Sequence, residues 1–85
     1  MIAMTARERT ALMIIVLIYQ QERRGATLAE VAIAMGVSTS RAHVLVGGLR
    51  DMGMVEPAKA HSRRGAVPTD AGALWNMGGI SSESN

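Results

Sequence analysis

Residues 27–53 place small, apolar and glycine residues at the spacing that two short helices need to cross through a tight turn. The first helix is predicted to end at Gly36, because glycine readily adopts the left-handed conformation that terminates helices. The second is predicted to run from Thr39 to about Met52 and to end at Gly53. Apolar or small residues stand wherever these two helices would meet: Leu28, Val31, Ala32, Met35, Val37, Ala42 and Leu45. This register predicts a helix-turn-helix.

Polar residues predict where the helices begin. Residues 5–8 and 27–30 both read T-x-x-E, the capping box in which threonine and glutamate side chains each bond to the other's backbone N–H. The serine and threonine hydroxyls of residues 38–40 can cap the third helix. A first helix is therefore expected from about Ala6 to Arg23, with Gly25 stopping it.

The remainder of the chain predicts a short β-hairpin and one more helix. Residues 54–56 are extended, residues 58–65 form a basic loop, and residues 66–68 are a return strand that Pro68 restricts to an edge. A short helix follows at residues 69–75. The predicted fold is α+β and mainly helical: three helices, a two-stranded β-wing and a short C-terminal helix. Residues 1–77 are expected to form the domain, and residues 78–85, rich in glycine and serine, a flexible tail.

The chain resembles the winged helix-turn-helix of the multiple-antibiotic-resistance regulator (MarR) family. The resemblance covers residues 27–75 and is carried by L-A-E at 28–30, M-G-V-S at 35–38, L-R-D-M-G-M-V-E at 49–56, S-R-R at 62–64 with Val67, and T-D-A-G at 69–72. It implies a sequence-specific regulator of transcription that binds double-stranded DNA, with residues 39–52 as the recognition helix in the major groove. Ser62 departs from the family pattern, because many relatives carry an acid there.

The candidate DNA-binding residues combine hydroxyl-bearing, basic and small side chains. Hydroxyls and N–H groups at a helix start suit phosphates, and Arg41 or His43 can reach a guanine edge. Basic residues of the loop, among which no acid occurs, would lie on the backbone or in the minor groove. The full set is Thr27, Ser38, Thr39, Ser40, Arg41, His43, Val44, Gly47, Lys59, Arg63 and Arg64.

Each of these groups also has a purely structural interpretation. Residues 38–40 are equally consistent with a helix cap, and the basic loop with a solvated surface. Gly47 and Gly48 cost a helix about 2 kcal/mol relative to two alanines, which fits either close approach to DNA or neutral drift. For the whole domain, the alternative is a winged-helix module that binds protein within a larger complex.

The first helix is apolar on every side between residues 12 and 18. Such a helix is either buried or faces a second chain. With only three other short helices to cover it, a homodimer contact is favoured over a central position in the domain. The expected interface residues are Leu12, Ile15, Val16 and Tyr19.

Composition excludes several other classes of protein. The chain has no Cys and two His, so disulfides, thiolate zinc sites and thiol catalysis are ruled out and no metal is expected. No catalytic constellation is recognisable, so we expect neither an enzyme nor a cofactor. The apolar run of residues 11–19 is too short for a membrane span, and residues 20–24 do not fit a signal-peptide cleavage site. We expect a cytoplasmic protein with no membrane partner and, because Phe is absent, no small-molecule effector pocket.

Overall fold

The computed structural model describes residues 4–57 and 65–83. The elements follow in the order α1 (Ala6–Glu22), α2 (Leu28–Met35), α3 (Thr39–Asp51), β1 (Val55–Pro57), β2 (Ala66–Pro68) and α4 (Asp70–Glu83). Strands β1 and β2 pair antiparallel as a two-stranded sheet. This is the predicted winged helix-turn-helix. Within the described ranges, no helix is both long enough and apolar enough to cross a membrane.

Side-chain caps start the first three helices, as predicted. The Thr5 hydroxyl oxygen accepts from the Glu8 N–H at 3.1 Å, and the Glu8 carboxylate accepts from the Thr5 N–H at 3.0 Å. Thr27 and Glu30 form the same reciprocal pair at 3.1 and 2.9 Å. Ser38 caps α3 by accepting from the Arg41 N–H at 3.1 Å. Both capping boxes and the serine cap are therefore confirmed.

Left-handed residues end the helices, but not always at the expected position. Gly36, at φ 71°, ends α2 as predicted, and Gly53, at φ 76°, follows α3. Helix α1 ends at Glu22 rather than Arg23, because Arg23 itself takes the left-handed conformation at φ 57° and donates its N–H to the Tyr19 carbonyl. The helix thus stops before reaching Gly25.

Helix α1 runs through the centre of the domain, where it packs against α2, α3, α4 and β2. Helix α1 therefore takes the central position that the sequence made the less favoured alternative, and the homodimer contact stays a prediction. The core that forms around it consists of Ala11, Leu12, Ile15, Val16, Ala26, Val31, Ala32, Ala42, Leu45, Leu49, Met54, Val55 and Ala66. Five of these thirteen residues are alanines, whose small side chains let the short helices approach α1 closely.

The wing is anchored to the segment before α2 through Ala66, the first residue of β2. In the hairpin, Val55 lies opposite Pro68 and Pro57 opposite Ala66. On the other side of β2, Ala26 and Ala66 exchange two backbone hydrogen bonds, of 3.0 and 2.8 Å. This pairing is not predictable from the sequence, because a single bridging residue leaves no alternating pattern to detect.

Helix α4 is longer than predicted, with 14 residues that reach Glu83 rather than ending near Trp75. Residues 78–83 are therefore helical; the expectation of a flexible tail over residues 78–85 stays a prediction. Thr69 fixes the start of the helix, since its hydroxyl donates to the Gly53 carbonyl at 2.6 Å and accepts from the Gly72 N–H at 3.0 Å. The Arg9 guanidinium lies 5.3 Å from the centroid of the Trp75 ring and joins α1 to α4.

Candidate nucleic-acid interface

Helix α3 separates a buried face from a polar outer face. Ala42, Leu45 and Leu49 point into the core. The outer face exposes Thr39, Ser40, Arg41, His43 and Val44 to solvent. No acidic residue occurs in α3 before its last residue, Asp51. The predicted recognition residues of this helix are thus brought together on one accessible surface.

The start of α3 has a structural role that does not depend on DNA. The oxygen of Ser38 is engaged with the Arg41 N–H, so the cap interpretation of this residue is confirmed. The hydroxyl hydrogen of a capping serine stays available as a donor. Thr27 is similar, because its oxygen accepts from Glu30 at the start of α2. Both hydroxyls therefore keep one donor each for an outside acceptor.

A groove of about 730 Å³ separates α3 from the wing. We call it the α3–wing groove. Its walls come from the start of α2, from one side of α3 and from both strands of the wing. The lining residues are Ala26, Thr27, Leu28, Ala29, His43, Val46, Gly47, Arg50, Val55, Glu56, Pro57, Gly65 and Ala66. More than half of these residues are apolar, and three carry ionisable side chains.

Two basic side chains of α3 line this groove. His43 and Arg50 are seven residues, or two helical turns, apart and so share one side of the helix. Glu56 on β1 is the acid of the opposite wall. The sequence analysis left Arg50 out of the candidate site, although its spacing from His43 is the signal that would have found it.

The two adjacent glycines of α3 face different surroundings. A β-carbon added at Gly47 would meet nothing within 4 Å, whereas one at Gly48 would stand 2.6 Å from the Glu8 carboxylate of α1. Gly48 therefore accommodates the packing of α1 on α3. Gly47 leaves a notch in the outer face, beside the α3–wing groove.

An ion pair reinforces the connection between α1 and α2. The guanidinium of Arg24 donates to both carboxylate oxygens of Glu30, at 2.8 and 2.5 Å, and also to the Gly25 carbonyl at 3.0 Å. Hydrogen bonding from Arg24, together with the backbone N–H of Thr27, lowers the pKa of Glu30 to about 2. Glu30 thereby joins the interhelical loop to the cap of α2. The sequence analysis missed this pair, which the loop brings together across six positions.

The residues assigned to a dimer interface do not share a surface. Leu12, Ile15 and Val16 are buried in the core of a single chain, so the assignment of these three residues is wrong. Their side chains are covered by the helices that surround α1, which leaves nothing of them for a partner. Tyr19 is 39% exposed. The accessible apolar side chains one turn apart on α1 are Met13 and Leu17, at 42% and 45%.

The basic residues Lys59, Arg63 and Arg64 lie outside the described residues. The described ends of their loop, Pro57 and Gly65, both line the α3–wing groove. In the ranges 4–57 and 65–83, no three His, Asp or Glu side chains come together in a way that could hold a metal ion.

Solved structures share this arrangement. MepR, a transcription regulator of the Staphylococcus aureus multidrug efflux pump MepA, superposes with a TM-score of 0.76 at 18% identity, over 92% of this chain and 56% of its own. A MarR-family protein from Bacillus stearothermophilus gives a TM-score of 0.78 at 17% identity, over 98% of this chain and 56% of its own. A MarR-family regulator from a Rhodococcus species gives 0.76 at 20%, over 92% and 54%.

The chain thus has the MarR-like winged-helix fold and spans little more than half the length of these three structures. At the level of sequence, no protein-family profile and no curated protein matches it. The resemblance noted in the sequence is confirmed as a resemblance of fold.

Proposed function

We propose that this protein is a sequence-specific regulator of transcription that binds double-stranded DNA and catalyses no reaction. Helix α3 enters the major groove with its outer face, and the wing lies on the sugar–phosphate backbone or in the adjacent minor groove. Such a regulator acts by occupying its operator. Because such a regulator acts on DNA inside the cell, the proposal includes a cytoplasmic location.

The observation that carries the proposal is the outer face of α3. Ser40, His43 and Val44 are exposed on it, Gly47 leaves an open notch, and no acidic side chain occurs before Asp51. A helix that enters the major groove needs this combination, since base edges must be reached and phosphates must not be repelled.

The α3–wing groove supports a path for one DNA strand. The groove is bordered by His43 and Arg50 on the helix; on the other side lie the strands that carry the basic loop, with Glu56 as the acid of that wall. With the recognition helix in the major groove, the backbone next to it would pass between helix and wing. Thr27 and Ser38 would donate their hydroxyl hydrogens to phosphates, and Arg63 and Arg64 would add the charge.

We further propose that the protein acts as a homodimer. Met13 and Leu17 present a continuous apolar surface on α1, in place of the buried residues first assigned. Tyr19 lies two residues from Leu17 and so points to nearly the opposite side of the helix. We therefore place Met13 and Leu17 at the centre of the interface and Tyr19 outside it.

A salt titration of DNA binding tests this function against the alternative of a protein-interaction module. The logarithm of the binding constant for duplex DNA should fall linearly with the logarithm of the salt concentration, because phosphate contacts release condensed counterions. Arg50→Ala should reduce the slope by about 0.9 if Arg50 contacts one phosphate. Ala29→Ser, in the same groove but uncharged, is the control. A chain that binds neither heparin nor any duplex at low salt would favour the protein-interaction module.

A further inference from the structure

We infer that Val44 reads a thymine in the bound DNA through the C5-methyl group of that base. The inference rests on the proposed function and names the base that Val44 selects. The finding behind it is an exposed, β-branched apolar side chain on an otherwise polar helix face.

Val44 lies on the outer face of α3. It lies one turn after Ser40 and one turn before Gly47, and its side chain is 65% exposed. The core-facing residues Ala42, Leu45 and Leu49 lie on the other side of the helix. Val44 is therefore accessible to a duplex that accepts this helix.

The fold gives no reason for valine at this position. Val44 is not among the residues that pack on the core, whether buried or partly buried. A β-branched side chain forms helices less readily than alanine, because it loses rotamer freedom against the preceding turn. An exposed apolar group also gains nothing from burial until a partner covers it.

The chemistry of the major groove supplies one apolar partner. Thymine presents a C5-methyl group there beside its O4 acceptor, and none of the other three bases carries a methyl group at its major-groove edge. The γ-carbons of Val44 can cover that methyl but can neither donate nor accept a hydrogen bond. The open notch at Gly47 allows the helix to come close enough for this contact.

The inference is tested by removing the methyl groups one at a time from the DNA. The full chain first enriches duplexes from a pool with a random core, and the enriched duplex is then remade with deoxyuridine in place of each thymine in turn. Deoxyuridine keeps the base pairing and lacks only the C5-methyl. One replacement per bound recognition helix should weaken binding about fourfold, as expected when one buried methyl is lost.

Two variants test whether Val44 is the residue responsible for this loss of affinity. Val44→Ala should bind the thymine and deoxyuridine duplexes equally, and its fold is expected to persist because alanine is the better helix former. Ile33→Ala, which truncates a side chain that is 81% exposed on α2, should keep the fourfold difference. The thymine contact alone would be overturned by either of two results on the enriched duplex. One is that deoxyuridine replacement weakens binding equally for wild type and Val44→Ala; the other is that it does not weaken binding of wild type at all. A pool that yields no enriched duplex would overturn the DNA-binding function as well.

Discussion

Gly72 on α4 lies against the backbone of Met54, so closely that a β-carbon at position 72 would stand 1.9 Å from the Met54 carbonyl oxygen. The same oxygen accepts the Thr69 N–H at 3.0 Å, so it cannot move away without losing that bond. Glycine is required here by space rather than by backbone conformation. The contact joins the start of α4 to the residue that leads into the wing.

The first prediction follows from this contact. Gly72→Ala should destabilise the domain by about 3 kcal/mol or more, because the added methyl overlaps backbone atoms that have no room to shift. Urea unfolding followed by circular dichroism measures the change. Gly47→Ala is the matched control, since it adds the same methyl group to open space. Equal stability of wild type and Gly72→Ala would show that the close approach is not present.

Gly47 provides the second prediction. Gly47→Ala should raise the stability of the fold by about 1 kcal/mol, because alanine is the better helix former. It should also weaken DNA binding by about tenfold or more, if the notch is filled by the duplex as proposed. Anisotropy titrations on the selected duplex measure the affinity. A variant that is more stable and binds DNA as well as wild type would favour neutral drift at this glycine.

Acid stability should depend on Glu30. Its folded-state pKa is about 2, against an ordinary value of 4.5, so the unfolded chain takes up its proton first as pH falls. The stabilisation is complete above about pH 4.5 and is lost as the pH falls toward 2. Glu30→Gln keeps a capping side chain but should flatten this part of the stability profile.

Denaturant midpoints measured at closely spaced pH values between 5 and 2 test this expectation. Glu56→Gln removes a carboxylate from an exposed strand position and serves as the control. An unchanged profile in Glu30→Gln would show that the pairing with Arg24 does not contribute to acid stability.

Mutations in the recognition helix and mutations in the wing should have different effects on DNA binding. Arg41→Ala or His43→Ala should cost about 1–3 kcal/mol on the cognate site and relax sequence preference, if that residue reads a base. Arg63→Ala and Arg64→Ala should weaken binding to all duplexes alike and lower the salt slope by about 0.9 each. Titrations on cognate and random duplexes distinguish the two. Unaltered binding by the Arg63/Arg64 double variant would exclude the wing from DNA contact.

The oligomeric state should respond to the exposed side of α1 and not to its buried side. Leu17→Glu should yield folded monomers, because it places a charge in the proposed interface while leaving the core intact. Leu12→Glu should unfold the chain, because Leu12 is fully buried. Sedimentation and circular dichroism measure both properties. A wild-type chain that stays monomeric at tens of micromolar would contradict the dimer.

The sequence was sufficient for features that are encoded locally. The caps at Thr5, Thr27 and Ser38 and the turn at Gly36 depend on neighbours within a few residues, and all four occur where predicted. The outward position of the α3 residues followed from their spacing alone. Helix type and order are therefore readable without tertiary information, and so are the lengths of the first three helices, whereas α4 is about twice as long as predicted.

Features that depend on distant segments were not predictable in the same way. Helix α1 is apolar all round, so its sequence did not distinguish the buried Ile15 from the exposed Leu17; that depends on which helices pack around it. The contact of Gly72 with Met54 joins residues 18 positions apart through the wing. In the site, spacing alone places Arg50 on the same side of α3 as His43, whereas the groove that both residues line exists only because the wing strands lie beside α3.

The pairing of Ala26 with Ala66 has a consequence for how this domain could be altered. Ala66 lies between Ala26 and Pro57, so the end of the hairpin next to residues 58–64 is held on both sides of β2 by the backbone. Ala26 is followed directly by the start of α2, so the hairpin is attached to the helix-turn-helix. We therefore expect that loops of other lengths and charges can replace residues 58–64 without altering how α3 is presented.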